Sequence, residues 1–394
     1  MQIQTADRLA HINEYYFSQK LREIEILNNQ GNDVINLGIG SPDLPPHASV
    51  IATLQQEAAK VSAHAYQPYK GSPILRKAVA AWYSKWYKAT LDYNTEILPL
   101  LGSKEGIMHI CMTYLNKGDQ ALLPNPGYPT YQSAIALAGA TPIPYSLTEA
   151  NNWLPDIDAL SNTDLTKVKL MFVNYPHMPT GQLPINNVFE KIIAFAKANQ
   201  ILVVNDNPYS FILTKTPSSI LSITGAKEVA IELNSLSKSQ NMAGWRVGVM
   251  CGDKQRIDEV LKYKSNMDSG MFLPIQLAAA KALELDSTWY DNLNVTYEAR
   301  KQKAYALLDS LQCSYDKAQA GLFVWAKIPA HWADGYKLSD AVLYKAHVFL
   351  TPGGIFGSNG NNYVRVSLCA TEHLFEQAIA RINSAKNLLP NSYL

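Results

Sequence analysis

The stretch KLMFVNYPHMPTG, residues 169–181, carries the reading of the fold. Leu170 to Val173 form a continuous apolar run of strand length. A strand with no polar face belongs in a sheet covered on both sides, which is the usual setting of parallel strands. Two prolines and a glycine (Pro176, Pro179, Gly181) then force a tight, irregular turn. Turn tips are ordinarily polar, yet Met178 stands between His177 and Pro179. The turn is either a surface connection or the floor of a ligand site, and the rest of the chain must decide.

Outward from this stretch the same alternation repeats. EILPLLGS (96–103), DQALLPNP (119–126), ILVVND (201–206), VAIELNSLS (229–237) and RVGVMCG (246–252) read as strands. KEGIMHICMTYLN (104–116), YPTYQSAIALAG (128–139) and NNVFEKIIAFAKANQ (186–200) read as helices. Upstream, SPILRKAVAAWYSKWYKA (72–89) has helical spacing, with Ser72 as N-cap and Pro73 at the first helical position. The pattern predicts an α/β fold with a mostly parallel sheet. After about residue 285 the texture changes. A helix over roughly 287–311, GLFVWAKI (321–328), a helix near 337–347, the strands VFLTPGG (348–354) and NYVRVSL (362–368), and a helix from Thr371 predict a smaller α+β domain.

Bulk properties narrow the function. The 394 residues are 47% hydrophobic and 17% charged, enough chain for two domains. A formal net charge of +1 gives no electrostatic reason to expect nucleic acid or an anionic membrane as partner. Cys111, Cys251, Cys313 and Cys369 are far apart and form no CxxC pair, which argues against a zinc site or a disulfide framework and for a reducing, cytoplasmic setting. Residues 1–27 lack the apolar core of a signal peptide. No window approaches the ~20 apolar residues of a membrane span. The expectation is a soluble intracellular protein.

Ligands of open α/β sheets bind at the carboxyl ends of the strands, and the unusual residues lie there. Lys238 follows a strand and two serines in NSLSKSQNMAGWRVG (234–248), with Arg246 eight residues on. A lysine is ordinarily a solvated surface residue. One that ends an apolar strand can instead enter a cleft and form a Schiff base if its pKa falls. Ser235 and Arg246 suit a phosphate. Asp206 ends the strand ILVVND, where a lone carboxylate is costly. It is either a turn or cap residue, or the partner of a buried ring nitrogen, with Tyr209 able to donate to the same ring. Gly102 and Ser103 make a strand-to-helix turn whose free N–H groups favour a phosphate. Tyr128 either packs in the core or stacks on a flat ring. Arg365 lies mid-strand, sharing a face with Tyr363 and Ser367, and is either an exposed edge residue or the receptor of a carboxylate.

Together these motifs resemble class I/II aminotransferases, the pyridoxal 5'-phosphate (PLP) enzymes of fold type I. The similarity covers nearly the whole chain and rests on five motifs in order: NLGIGSPDLP (36–45), AYQPYKGSPILRKAV (65–79), the NYPHMPTG loop, SLSKSQNMAGWRVG (235–248) and NYVRVSL. GSKEGI and SNMDSGMF resemble the branch containing LL-diaminopimelate and some alanine or aspartate aminotransferases. The resemblance implies a large cofactor domain (46–285) with a seven-stranded type of sheet, a small domain (286–394), and an N-terminal arm (1–45) contributing to the latter. It implies that Lys238 carries PLP as an aldimine and shuttles a proton, that Asp206 keeps the ring nitrogen protonated, and that Tyr209 donates to the ring oxygen O3'. Tyr128 would stack on the ring, with Asn174 nearby. Ser103, Lys104, Ser235, Ser237 and Arg246 would surround the phosphate. Arg365 would grip the substrate carboxylate, with Gly38 close to it. Tyr15, and Tyr16 beside it, would approach the side-chain pocket. Tyr66 would reach the neighbouring subunit's phosphate and Asn266 would also cross over, implying a homodimer. The implied reaction is ping-pong transfer of an amino group between an amino acid and a 2-oxo acid. A C–S lyase or an acyl-transferring synthase on the same scaffold shares the cofactor residues. A PLP-binding regulator would need an additional basic helical domain, and no such stretch is read here. No second arginine is assignable to a dicarboxylate.

The resemblance breaks at Met178, where the family's loop carries an asparagine that also donates to O3'. Methionine cannot donate a hydrogen bond, so Tyr209 alone is expected to stabilise that oxygen anion. Loss of a donor to a charged oxygen is worth on the order of 1.5–3 kcal/mol. Met178→Asn should therefore lower the apparent pKa of the lysine-bound cofactor by about 1 unit. Titration of its visible absorbance in both proteins tests this, and an unchanged or higher pKa in the variant contradicts it.

Overall fold

In the computed structural model, which describes residues 3–10, 12, 14–185 and 187–385, alternate residues of the opening run serve two different cores. Leu170 and Phe172 enter one apolar layer with Ile107, Tyr131, Val204 and Leu233. Met171 and Val173 enter the other with Tyr83, Ile192, Val203 and Phe211. This is the two-sided burial that an uninterrupted apolar strand demands.

The strand belongs to a seven-stranded sheet in the order Ile97–Leu100, Gly248–Gly252, Ala230–Ser235, Leu202–Asp206, Val168–Val173, Gln120–Asn125, Thr141–Ser146. Every neighbouring pair is parallel except the two made by Gly248–Gly252, which runs against both neighbours. A second, antiparallel sheet of four strands is formed by Thr351–Pro352, Tyr363–Ser367, Phe323–Lys327 and Ser314–Tyr315. A third pairing, Ile35–Asn36 with Val348–Phe349, ties the N-terminal region to the C-terminal part of the chain. Around the four-stranded sheet lies a separate apolar cluster that includes Phe17, Met178, Phe323, Val364 and Phe375.

The helix read at 72–89 spans Pro73–Tyr87, with Ser72 accepting from Ile74 N at 3.2 Å. Lys88 ends it at φ +57°. The helix read from Asn186 spans Val188–Asn199, with Asn186 outside the described residues. The closing helix runs Glu372–Ser384, capped by Thr371. The reading missed the strand Thr141–Ser146, which holds Pro142 and Pro144. The strand is the last in its sheet, where a missing N–H is tolerated. It also missed the helices Tyr16–Asn29, Ala48–Ala58, Lys254–Lys264 and Leu273–Leu283. Lys254–Lys264 has its short stripe, Ile257, Val260 and Leu261, set among charged residues, whereas Leu273–Leu283 is too uniformly apolar to show one.

A carboxylate holds the centre of the large sheet to its covering helices. Glu232 is fully buried and accepts from Tyr83 Oη (3.0 Å), Ser219 Oγ (2.8 Å), Asn205 Nδ2 (2.9 Å) and Ile220 N (3.0 Å). Glu232→Ala strands four buried donors, and each unsatisfied one costs about 1–3 kcal/mol. The variant should lose at least about 3 kcal/mol of stability. Urea unfolding of both proteins measures this, and a loss below about 1 kcal/mol would show that the network relaxes without its acceptor.

Candidate active site

Parallel pairing brings the carboxyl ends of the central strands to one edge of the sheet. The loops after Leu100, Asn125, Val173, Asp206 and Ser235 therefore open on a common cavity of about 470 Å³. The reversed strand Gly248–Gly252 begins at that edge, which delivers Arg246 to the same place.

Lys238 faces this cavity, and its Nζ donates to Gly40 O at 2.6 Å. Burial lowers its pKa; Arg365 and Arg246 push the same way, while the Cys369 thiol and Asp206 oppose. A larger share of the amine is thus neutral than in a solvated lysine, the state needed for attack on a carbonyl. Asp206 is buried at the floor. Its Oδ2 accepts from Tyr131 Oη at 3.0 Å, and its Oδ1 has no hydrogen-bond partner among the described residues. Burial pushes its pKa up to about 6, against the pull of Tyr131, Ser103 and Lys238. A buried carboxylate with a free oxygen aimed at a cavity is built for a cationic or N–H partner that the polypeptide does not supply.

The phosphate-type cradle is equally specific. Ser103 is the first residue of the helix Ser103–Tyr114, and Gly102 before it has φ +88°. A Cβ on Gly102 would lie 2.1 Å from Arg246 Nη2, and one on Gly248 would lie 2.6 Å from Ser103 N. Only glycine lets the guanidinium and the helix N-terminus converge this closely. Ser235 Oγ lies 2.9 Å from Ser237 Oγ, both lining the same cavity. Behind the turn, Glu105 accepts from Leu101 N at 2.7 Å and lies 3.4 Å from His109 Nε2. Asp268 and the buried Lys264 form an ion pair beside them. Lys104 is exposed at the rim, with its ammonium 4.9 Å from the centre of the Tyr15 ring.

Arg365 is buried on the opposite side. Its Nη2 donates to Gly38 O at 2.8 Å, its Nη1 lies 3.3 Å from Met178 Sδ, and its Nε has no partner among the described residues. The rings of Phe323, Phe356 and Phe17 stand 3.8, 4.6 and 5.6 Å from its guanidinium. Burial lowers its pKa to about 10, so it stays charged at neutral pH, yet no carboxylate of this chain pairs with it among the described residues. The mid-strand arginine is therefore not an exposed edge residue. Gly38 is required where it stands, because a Cβ there would meet Phe349 at 2.3 Å and Thr351 Oγ1 at 2.8 Å.

The opening turn forms part of this cavity's wall. Asn174 to Gly181 are all buried. Asn174 lines the cavity but has both ends of its amide engaged: Nδ2 donates to Asp206 O and Oδ1 accepts from Met178 N. Its geometry is that of a brace between the turn and the Asp206 strand. His177 bonds Thr180 Oγ1 at 2.8 Å, and burial lowers its pKa to about 3, leaving a neutral structural ring.

Tyr128, Tyr209 and Tyr15 line the cavity with the residues above. Burial raises the pKa of all three phenols and keeps them protonated. Tyr16 turns away and packs edge-on against Tyr336, 6.2 Å between ring centres. Tyr66 is 93% exposed and Asn266 is exposed, bonded to Lys262 O; neither lines this chain's cavity. Sequence reading did not single out Tyr131, three residues after the N-cap Tyr128 of the helix Pro129–Leu137, or the three phenylalanines around Arg365, which no local pattern joins.

A buried lysine with a lowered pKa, a buried carboxylate with a free oxygen, a glycine-shaped cradle at a helix N-terminus and an arginine with no carboxylate partner among the described residues fit PLP, and the scaffold is that of fold type I. The family model described as aminotransferase class I and II matches residues 32–382. An LL-diaminopimelate aminotransferase of Dehalococcoides mccartyi is 37% identical over 381 residues, covering 96% of this chain and 98% of the relative. That of Aquifex aeolicus is 37% identical over 387 residues, covering 97% and 99%. Among solved structures, substrate-bound BacF from Bacillus subtilis has a TM-score of 0.92 at 36% identity, covering 97% of this chain and 98% of its own. The chain belongs to the class I and II aminotransferases, PLP-dependent enzymes acting on amino acids and 2-oxo acids.

The raised pKa of Asp206 has a consequence for cofactor loading. Below about pH 6 its carboxyl holds a proton in the empty site and cannot pair with a protonated ring nitrogen without releasing it. Affinity for PLP should fall with acid below that point, by up to about tenfold per pH unit. Asp206→Asn should lose this dependence. Absorbance titrations of the apoprotein with PLP between pH 5 and 8 decide it, and a wild-type affinity that is flat across pH 5–7 refutes the assignment.

Proposed function

We propose that this enzyme moves an amino group between an amino acid and a 2-oxo acid in two half-reactions, with PLP carried on Lys238. The observation that supports this reading best is the meeting of Lys238, Asp206 and Arg365 in one cavity, with neither cation paired to a carboxylate among the described residues. PLP, when bound, supplies an electron sink for the carbon that carries the amino group. Lys238 Nζ takes up and returns the proton at that carbon, a role favoured by its lowered pKa. Asp206, through its unpartnered Oδ1, would keep the ring nitrogen protonated. Ser103, Ser235, Ser237 and Arg246 would hold the phosphate, with the Lys104 side chain at the cavity rim over Tyr15; Tyr128 would lie against the ring and the protonated Tyr209 would donate to the ring oxygen. Asn174 keeps Met178 and Asp206 in register from behind.

Arg365 receives the α-carboxylate of each substrate in turn and so fixes which bond of the bound molecule faces Lys238. Its soft surroundings leave the guanidinium free to make two parallel hydrogen bonds to an incoming carboxylate. Gly38, whose carbonyl holds Nη2, sets the guanidinium plane.

In this reading the enzyme is a homodimer, with Tyr66 reaching the partner's phosphate site and Asn266 the partner's substrate site. The exposure of Tyr66, Val61 and Met267, which are 93%, 95% and 50% accessible, supports a partner on that face. In the same reading residues 46–285 are the cofactor domain, and 286–394 with part of the arm 1–45 are the small domain. Four free cysteines accord with a cytoplasmic setting.

The test is formation of a 2-oxo acid from an amino acid by the PLP-loaded protein, with and without a 2-oxo acid acceptor. Steady turnover that requires the acceptor is expected. Steady release of product with no acceptor present would instead mark a lyase. Arg365→Ala should lower kcat/KM for the amino donor by about 100-fold, the equivalent of roughly 3 kcal/mol from lost charged hydrogen bonds. A loss below tenfold would remove Arg365 from that role.

A further inference from the structure

Once Lys238, Asp206, Arg246 and Arg365 are committed to cofactor and carboxylate, the rest of the cavity is left for the substrate's side chain. That remainder is lined by Tyr15 before the N-terminal helix, Phe17 and Leu21 on it, Ile39 after Leu37, and Phe356. Ser18 adds a hydroxyl, and Lys104 at the rim is already seated over the Tyr15 ring. Among the described lining residues Asp206 is the sole carboxylate, and it lies at the floor bonded to Tyr131.

We propose that the preferred amino donor carries an aromatic or large apolar side chain, held between Tyr15, Phe17, Leu21 and Ile39, and that diamino-dicarboxylic acids are poor donors. This rests on the aminotransferase reading of the same site. Phe17 joins the two surfaces. Its ring stands 5.6 Å from the Arg365 guanidinium, so the surface that meets the side chain begins where the carboxylate site ends. A substrate whose far end bears an ammonium finds no acidic partner in this chain's wall. An ammonium set against this apolar wall loses hydration without gaining a counter-ion. A distal carboxylate finds Lys104 alone, and must draw it away from the Tyr15 ring. An apolar group of aromatic size covers the walls without leaving any polar atom unpaired, and pockets of this kind discriminate by roughly 10–200-fold per missing group.

The inference sets this chain apart from its relatives named LL-diaminopimelate aminotransferase, since that compound carries both an ammonium and a carboxylate at its distal end. The experiment uses the full-length PLP-loaded protein without acceptor. Loss of the visible absorbance of the bound cofactor is followed after mixing with L-phenylalanine, L-leucine, L-alanine, L-glutamate or LL-diaminopimelate. Phenylalanine and leucine should exceed glutamate and diaminopimelate by at least about tenfold in apparent second-order rate. Leu21, 44% exposed on its helix, can be replaced without disturbing a core. Leu21→Arg should lower the phenylalanine rate and raise the glutamate rate. As an amine-free check, 3-phenylpropionate should inhibit at lower concentration than glutarate. A faster reaction with glutamate or diaminopimelate, or tighter inhibition by glutarate, overturns the substrate assignment and leaves the aminotransferase reading intact. Failure of every donor to discharge the cofactor overturns that reading, and the assignment with it.

Discussion

The structure depends on the parallel pairing of its central strands. Parallel neighbours cannot be joined by a tight hairpin, so the chain must cross back outside the sheet each time. The helices that make those crossings cover both faces, and the carboxyl ends of the strands collect at one edge. Residues as far apart as Ser103, Asp206 and Lys238 become neighbours for that reason alone. The single reversed strand, Gly248–Gly252, extends the principle, since it enters the sheet at the edge where the others leave.

What collects at that edge is charge without internal compensation. Glu232 and Asp206 sit on adjacent strands, both buried, yet they solve burial in opposite ways. Glu232 takes four hydrogen bonds and is complete within the chain. Asp206 keeps one oxygen unpartnered. Arg365 repeats the contrast: Arg300, also buried, forms a two-pronged ion pair with Asp43 at 2.6 and 2.8 Å, whereas Arg365 is lined by rings, a sulfur and one carbonyl. Buried charged groups left incomplete on the wall of a cavity, as Asp206 and Arg365 are, mark where a ligand would complete the structure.

Met178 takes its meaning from this contrast. It packs within the apolar cluster of the four-stranded sheet while its sulfur touches Arg365. The turn that holds it is fixed by its own bonds, Gly181 N to His177 O and His177 N to Gln182 O, and by Asn174. One loop thus joins the Asp206 floor of the cavity to its Arg365 wall, and a change of side chain at 178 reaches both.

Much of this was legible in the residues taken in order. The apolar strands ending in Asp206, Ser235 and Val173, the Ser72–Pro73 helix start, and the candidates Lys238, Arg246 and Arg365 all depend on local pattern, because strand period, capping and end residues act over a few positions. The proline-bearing edge strand was hidden because its tolerance of Pro142 and Pro144 comes from its place in the sheet. Tyr131 on Asp206, the three phenylalanines around Arg365 and the apolar wall from the N-terminal helix were decided by tertiary structure alone. Each joins segments distant in the chain, and nothing in a local sequence encodes which distant surface it will meet. The chemistry of the site was written in individual residues, whereas the shape of the space left for a substrate exists only once the strands have packed.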